Sequence, residues 1–168
     1  MNPTPVFVNP EDVKRSSFIN GNLDVDNLMP FILIAQQMHV QNFLGSSLYN
    51  RISNDISNGT LTGDYLNLVN DYIQPMCIAF AMVDYIPFSG FSIKNGGIFK
   101  HTSENAEIPD KEDINFLTQR YRNFADFYTR RFIDYMSFNA STKFPEYYNN
   151  VNDDMYPDKS ANFVSFVT

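Results

Sequence analysis

The chain has no tryptophan, one cysteine, two histidines and seven glycines among its 168 residues. A lone cysteine, Cys77, excludes an intrachain disulfide framework. Neither His39 nor His101 stands in a His-x-x-x-His, Cys-His or Ser-His arrangement, so no zinc set or catalytic pair is spelled out. Both glycine pairs with loop character, Ser89-Gly90 and Gly96-Gly97, lack the Gly-Lys-Ser/Thr that would follow in a phosphate-cradling loop. Positive charge is also scarce. Twelve Lys and Arg face nineteen Asp and Glu, a net charge of −7, which argues against a protein that grips DNA by neutralising phosphates. The longest apolar run, residues 76–83, ends at Asp84, well short of the ~20 residues that span a bilayer, so no membrane association is expected. The opening Met-Asn-Pro-Thr-Pro lacks the basic and apolar blocks of a signal peptide, which predicts a chain made in a cytoplasm and kept there or in a particle assembled there.

The remaining chemical candidates have plainer explanations. Cys77 lies in the most apolar stretch with no basic neighbour to lower its pKa, and reads as packing. His39 falls on an apolar helical stripe and reads as a partly buried structural residue. Asp24 and Asp26 suit helix capping, and Asp153, Asp154 and Asp158 suit solvated turns, because neither group has the loop of an EF-hand. The glycosylation-like triplets at Asn58 and Asn139 have no secretion signal to support them. No catalytic residue, metal ligand or cofactor is expected, and the chain does not read as an enzyme.

What is abundant is apolar and aromatic: 43% hydrophobic residues, with sixteen phenylalanines and ten tyrosines, enough for one domain with a proper core. Residues 1–22, with three prolines and an Asn-Gly pair, read as an extended N-terminal arm with a short helix near Pro10. Residues 23–143 read as a helical body. Its first helix is capped by Asp24 or Asp26 and ended near Gly45, with Leu28, Phe31, Ile32, Ala35, Met38 and Phe43 on one face. A shorter helix follows over 47–56. A third spans 63–86, where Pro75 should kink or divide it. The fourth, over 112–138, is capped by Asp110 and carries Ile114, Leu117, Tyr121, Phe124, Ala125, Tyr128, Phe132, Tyr135 and Met136 as its core stripe. Between the last two, about 88–103, Asn95-Gly96-Gly97 signals a β-hairpin. The expected fold is mainly α: a four-helix body with a protruding β-hairpin and extended N- and C-terminal arms. No internal repeat stands out.

Three segments look built to meet a neighbour. Phe91, Ile93, Ile98 and Phe99 decorate a two-stranded hairpin, which is marginal in water unless it packs on something else. Phe116, Arg120, Phe127 and Arg131 lie on the fourth helix away from its core stripe, a composition enriched in protein interfaces. Residues 144–168 form an aromatic C-terminal arm in which Phe144, Tyr147, Tyr148, Tyr156, Phe163 and Phe166 follow no helical or strand period. Such rings must be buried on the arm's own body or on an adjacent subunit, and the second is expected here.

The order of several short motifs is also informative: Asp24-x-Asp-x-Leu, Ile32-x-x-Ala35-Gln36, Phe43-Leu-Gly45, Tyr72-Ile-Gln-Pro75, Gly90-Phe-Ser-Ile-Lys-Asn-Gly-Gly97 and Phe144-Pro-Glu-Tyr147. Over about residues 10–148 the chain resembles the head-to-tail connector, or adaptor, proteins of tailed bacteriophages, and most closely the neck ring proteins of crAss-like phages. The resemblance implies a virion structural protein: a homo-oligomeric ring, twelve copies in that family, placed in the neck between capsid portal and tail. It implies assembly in the host cytoplasm and contacts with the portal and adjacent neck or tail rings. DNA would pass through the channel, and leave it during genome ejection, without sequence-specific binding. The alternative is a monomeric helical binding module, such as a phage-encoded regulator of a host protein; a hydrolase or nuclease comes third.

Overall fold

A computed structural model describes residues 5–18, 25–94, 97–100, 110–149 and 154–160 of the chain. They are mainly helical. Helix α1 (Pro10–Ser16) starts where the side chain of Asn9 accepts the Glu11 N–H and Pro10 fills the first helical position. Helix α2 (Met29–Ala35) continues through a π-helical turn, Gln36–Val40, into α3 (Gln41–Asn58). Helix α4 (Gly63–Leu68) passes through a second π turn, Val69–Ile73, into α5 (Gln74–Tyr85). Strands β1 (Phe91–Lys94) and β2 (Gly97–Lys100) pair antiparallel, with Ile93 opposite Ile98 and Ser92 opposite Phe99. Helix α6 (Lys111–Lys143) and the short α7 (Pro145–Tyr148) complete the body.

Helix α5 is buried nearly all round, through Met76, Cys77 and Ala79–Val83, and packs against both α2 and α6. The expected effect of Pro75 takes a particular form. Proline cannot donate to the carbonyl four residues back, and the chain widens into the π turn just before it. The Asp71 carbonyl is instead taken by Arg131 of α6, whose Nη1 donates at 2.9 Å while its guanidinium lies 4.6 Å from the centre of the Tyr72 ring.

The first π turn changes which residues face inward. An extra residue in a turn rotates everything beyond it, so Val40, Phe43 and Leu44 enter the core while Met38, expected on the core face, is exposed. Gly45 does not end the helix as expected. It sits within α3 at φ 73°, ψ 159°, where the helix bends sharply and continues to Asn58, and Gly59 in the left-handed region closes it.

Helix α6 begins with a reciprocal capping box: the Asp110 carboxylate accepts the Asp113 N–H at 2.9 Å, and Asp113 accepts the Asp110 N–H at 3.2 Å. Its buried stripe is Thr118, Tyr121, Ala125, Thr129, Phe132, Met136 and Ala140. Tyr121, Ala125, Phe132 and Met136 of the expected stripe are buried and Tyr128 and Tyr135 pack against the core, but Leu117 and Phe124 are exposed and two threonines stand inside. Thr118 hides its hydroxyl by donating to the Ile114 carbonyl.

Both ends of the described chain lie on the body. Phe7, Val8 and Val13 of the N-terminal segment belong to the core. Phe144 and Tyr147, expected in an arm, are buried there too, so the body extends through α7. Among the described residues, no helix is long and apolar enough to cross a membrane.

Candidate interaction surface

The expected interface residues fall into three sets. The first is the outer side of α6. Phe116, Phe127 and Phe138 are 69%, 60% and 84% exposed. They recur every eleven residues (116, 127, 138). Eleven residues make just over three helical turns, so the three rings line up on the side opposite the buried stripe, along about 33 Å of helix. The same interval relates Thr118, Thr129 and Ala140 inside, and Arg120 and Arg131 outside. This is an internal repeat that the reading of the chain by elements passed over, and with it Phe138. A constant spacing of eleven was the available signal. The arginines between the rings are held within the subunit: the Arg120 guanidinium lies 5.7 Å from the Phe124 ring centre, and Arg131 supports Asp71 and Tyr72. Arg131 is exposed and also has a role within the subunit, since its Nη1 donates to a helix carbonyl.

The second set is the hairpin. Phe91 and Ile98 are exposed, while for Ile93 and Phe99 only the backbone pairing is described. Phe88, just before β1, is exposed and touches Phe31, which meets Tyr85 edge-on. An aromatic cluster thereby links the base of the hairpin to α2 and α5.

The third set, the C-terminal residues, divides. Phe144 packs edge-on against Tyr65, and Tyr147 against Phe132. Their surfaces are consumed inside the subunit, so neither is an interface residue. Burial pushes the Tyr147 phenol up to about 12. Around α7, Glu146 accepts the Tyr65 hydroxyl at 2.5 Å and Arg51 Nη1 at 3.2 Å. Desolvation, then the adjacent Glu146, raises the Tyr65 pKa. Tyr148 and Tyr156, by contrast, are 61% and 69% exposed. Phe163 and Phe166 lie outside the described residues.

Residues 154–160 run as a strap over the bend at Gly45. In an uninterrupted helix the Ser46 N–H would donate to the Asn42 carbonyl. Here Ser46 N–H donates to the Met155 carbonyl at 2.9 Å, and Asp158 N–H donates to the Asn42 carbonyl at 2.9 Å. The strap takes up both groups that the bend sets free. Ser46 Oγ adds a bond to Asp154 at 3.1 Å, and Pro157 fills the space where a Cβ at Gly45 would lie, 2.7 Å from its Cδ.

The N-terminal segment is fastened by a buried glutamine. Gln36 Oε1 accepts the Phe7 N–H at 2.8 Å, while Nε2 donates to the Pro5 carbonyl at 2.8 Å and the Tyr49 hydroxyl at 2.9 Å. Gln74 Nε2 donates to the Phe7 carbonyl at 3.0 Å. Beyond this segment Ser16, Phe18, Pro75, Ile78, Tyr121 and Phe124 line an apolar groove of about 310 Å³.

The chemical candidates hold no assembled site. Cys77 is fully buried, its pKa raised to about 12 by desolvation. His39 stacks on Phe80 at 4.1 Å between ring centres, with Nε2 3.6 Å from Asp84. Among the described residues, no three His, Cys, Asp or Glu side chains are grouped to hold a metal ion. What the geometry offers is surface: a phenylalanine row on α6, an aromatic hairpin base, and exposed tyrosines on α7 and in the strap.

The class these features define is a small, mainly helical protein with apolar outer faces. Residues 40–154 match the model of DUF6712, a family of unknown function, and the chain belongs to that family. No curated protein and no solved structure matches it.

Proposed function

We propose that the protein is a subunit of a head-to-tail connector ring in a phage neck, joining portal to tail around the DNA channel. The observation that carries this reading is the row of Phe116, Phe127 and Phe138 on α6. Exposed rings in a line that long are the anchors of an interface, and a ring needs such surfaces on each copy. In this reading the hairpin meets a neighbour with Phe91 and Ile98. The net charge of −7 lets DNA pass without sticking. The protein works in the virion as a structural part, with no catalysis and no cofactor, and its partners are further copies of itself, the portal and adjacent neck or tail rings. The ordered motifs that resemble crAss-like neck proteins support the same assignment.

The test is electron microscopy of the purified protein and mass spectrometry of virions. Closed rings and presence in particles are expected; a protein that forms no rings and is missing from virions is not a connector. One observation favours the second reading, a monomeric helical binding module: the strap over 154–160 is seated on its own chain. A strict monomer by light scattering, with residues 154–160 resistant to protease, would decide for that module.

A further inference from the structure

The seat at the bend of α3 is a receptor for an extended segment. Its Ser46 N–H and Asn42 carbonyl point to a strap because the bend denies them each other. The bend itself is held independently, since Leu44, Leu48, Tyr49 and Ile52 on its two sides are core residues. No residue of 154–160 belongs to the buried apolar cluster, and the strap meets it only at its edge, where Lys159 Nζ lies 5.3 Å from the centre of the Tyr147 ring. It is recognised through backbone bonds, the Ser46–Asp154 and Asn42–Asp158 side-chain bonds, and the notch that glycine leaves for Pro157. A body complete without its strap, and a seat incomplete without one, are separable halves. Tyr148 at the end of α7 and Tyr156 within the strap remain exposed when both halves belong to one chain.

We propose that this seat also takes the strap of a second copy of the chain, so that residues 154–160 of one subunit clasp α3 of the next. The occupant is fixed by what the seat reads: the segment Asp154-Met-Tyr-Pro-Asp158, which each copy carries. Exchange of an identical element costs little because the same bonds form in either arrangement. It would also place Tyr148 and Tyr156 between two bodies rather than in water. The proposal rests on the assembly reading above and adds the surface by which neighbours hold each other.

Two full-length variants that each add one cysteine, Asn42→Cys and Asp158→Cys, are mixed at high concentration under mild oxidation; the native Cys77 is buried. A disulfide between chains forms only if the strap of one copy occupies the seat of the other. The expected result is a covalent heterodimer, with a yield about tenfold lower when the Asn42→Cys chain also carries Gly45→Ala, since a residue strained by a kcal/mol or more loses that factor in occupancy. The doubly substituted chain, Asn42→Cys with Asp158→Cys, is the control. If it closes entirely within one chain while the mixture gives no heterodimer, the clasp is wrong, and absence of both products also overturns it. Rings by electron microscopy with only intrachain links would sink the clasp and leave the connector standing. A heterodimer without rings would do the reverse.

Discussion

Pro157 occupies the space that Gly45 leaves by having no side chain. A Cβ there would lie 2.7 Å from the proline Cδ and 2.9 Å from its nitrogen. Gly45 also holds φ 73° with ψ 159°, a region almost closed to other residues. Gly45→Ala is therefore expected to destabilise the protein by about 1–3 kcal/mol. Gly59→Ala, also at positive φ but with nothing within 4 Å, should cost only about 1 kcal/mol. Thermal or urea unfolding of the two variants checks the order.

Gln36 satisfies three groups with one carboxamide. Gln36→Leu keeps the volume but leaves the buried Phe7 N–H without its acceptor, at a cost of about 1–3 kcal/mol. The N-terminal segment should become the first site of cleavage in limited proteolysis, before α6 is touched. Cleavage unchanged in rate and position would show that Gln36 does not hold the segment.

The divided C-terminal residues predict opposite outcomes for adjacent aromatics. Phe144→Ala empties a fully buried site and should cost about 3–5 kcal/mol. Tyr148→Ala, four residues on and exposed, should change unfolding by less than about 0.5 kcal/mol. Equal effects would mean that α7 is not docked as described.

The α6 row predicts a separation of folding from assembly. Phe127→Ser with Phe138→Ser should leave the unfolding midpoint within about 0.5 kcal/mol per site, because neither ring lies in the core. Oligomers seen by light scattering should weaken. Loss of stability without change in assembly would contradict an interface there.

Alkaline pH should unfold the protein. Burial raises the Tyr147 and Cys77 pKa values to about 12, and raises Tyr49, Tyr65 and Tyr85 as well. The unfolded chain begins to release these protons near the ordinary values of about 8.5 for the thiol and 10 for the phenols, while the folded chain keeps them. The unfolded state then binds fewer protons, so stability is intact below that range and falls as pH rises through it. Each such group subtracts up to about 1.4 kcal/mol per pH unit. Urea midpoints measured from pH 8 to pH 11 should fall steadily, and a flat profile would contradict the burial of these side chains.

Much of the helical body was legible in the sequence, because amphipathic spacing and Asp110 capping are local signals. The helical stretches over 63–85 and 111–143 fall close to where those signals place them, whereas the two helices expected on either side of Gly45 are one bent stretch; Asn95 and Gly96 of the expected turn lie outside the described residues. What escaped depends on contacts made elsewhere. Met38 faces out because a π turn shifts the register, and a period of 3.6 cannot anticipate an inserted residue. Gly45 reads as a helix stop, since the strap that takes up the two backbone groups freed by the bend comes from more than a hundred residues away. Phe144 and Tyr147 look aperiodic because they are anchored by Tyr65 and Phe132 rather than by a regular element of their own. The phenylalanine row was half visible: Phe116 and Phe127 were read as outward, and Phe138 follows from the same interval.

Arg131 and Pro75 form a unit that spans two helices. The proline leaves the Asp71 carbonyl without its helical donor, and the arginine of α6 supplies one. A substitution at either position therefore changes what the other is for. With an ordinary residue at 75 the carbonyl would have a local donor and Arg131 would keep only its place over Tyr72, whereas with a shorter side chain at 131 the proline would leave a helix carbonyl dependent on water. In drift or in design these two positions should change together, and the tolerance of one can be read only with the identity of the other in hand.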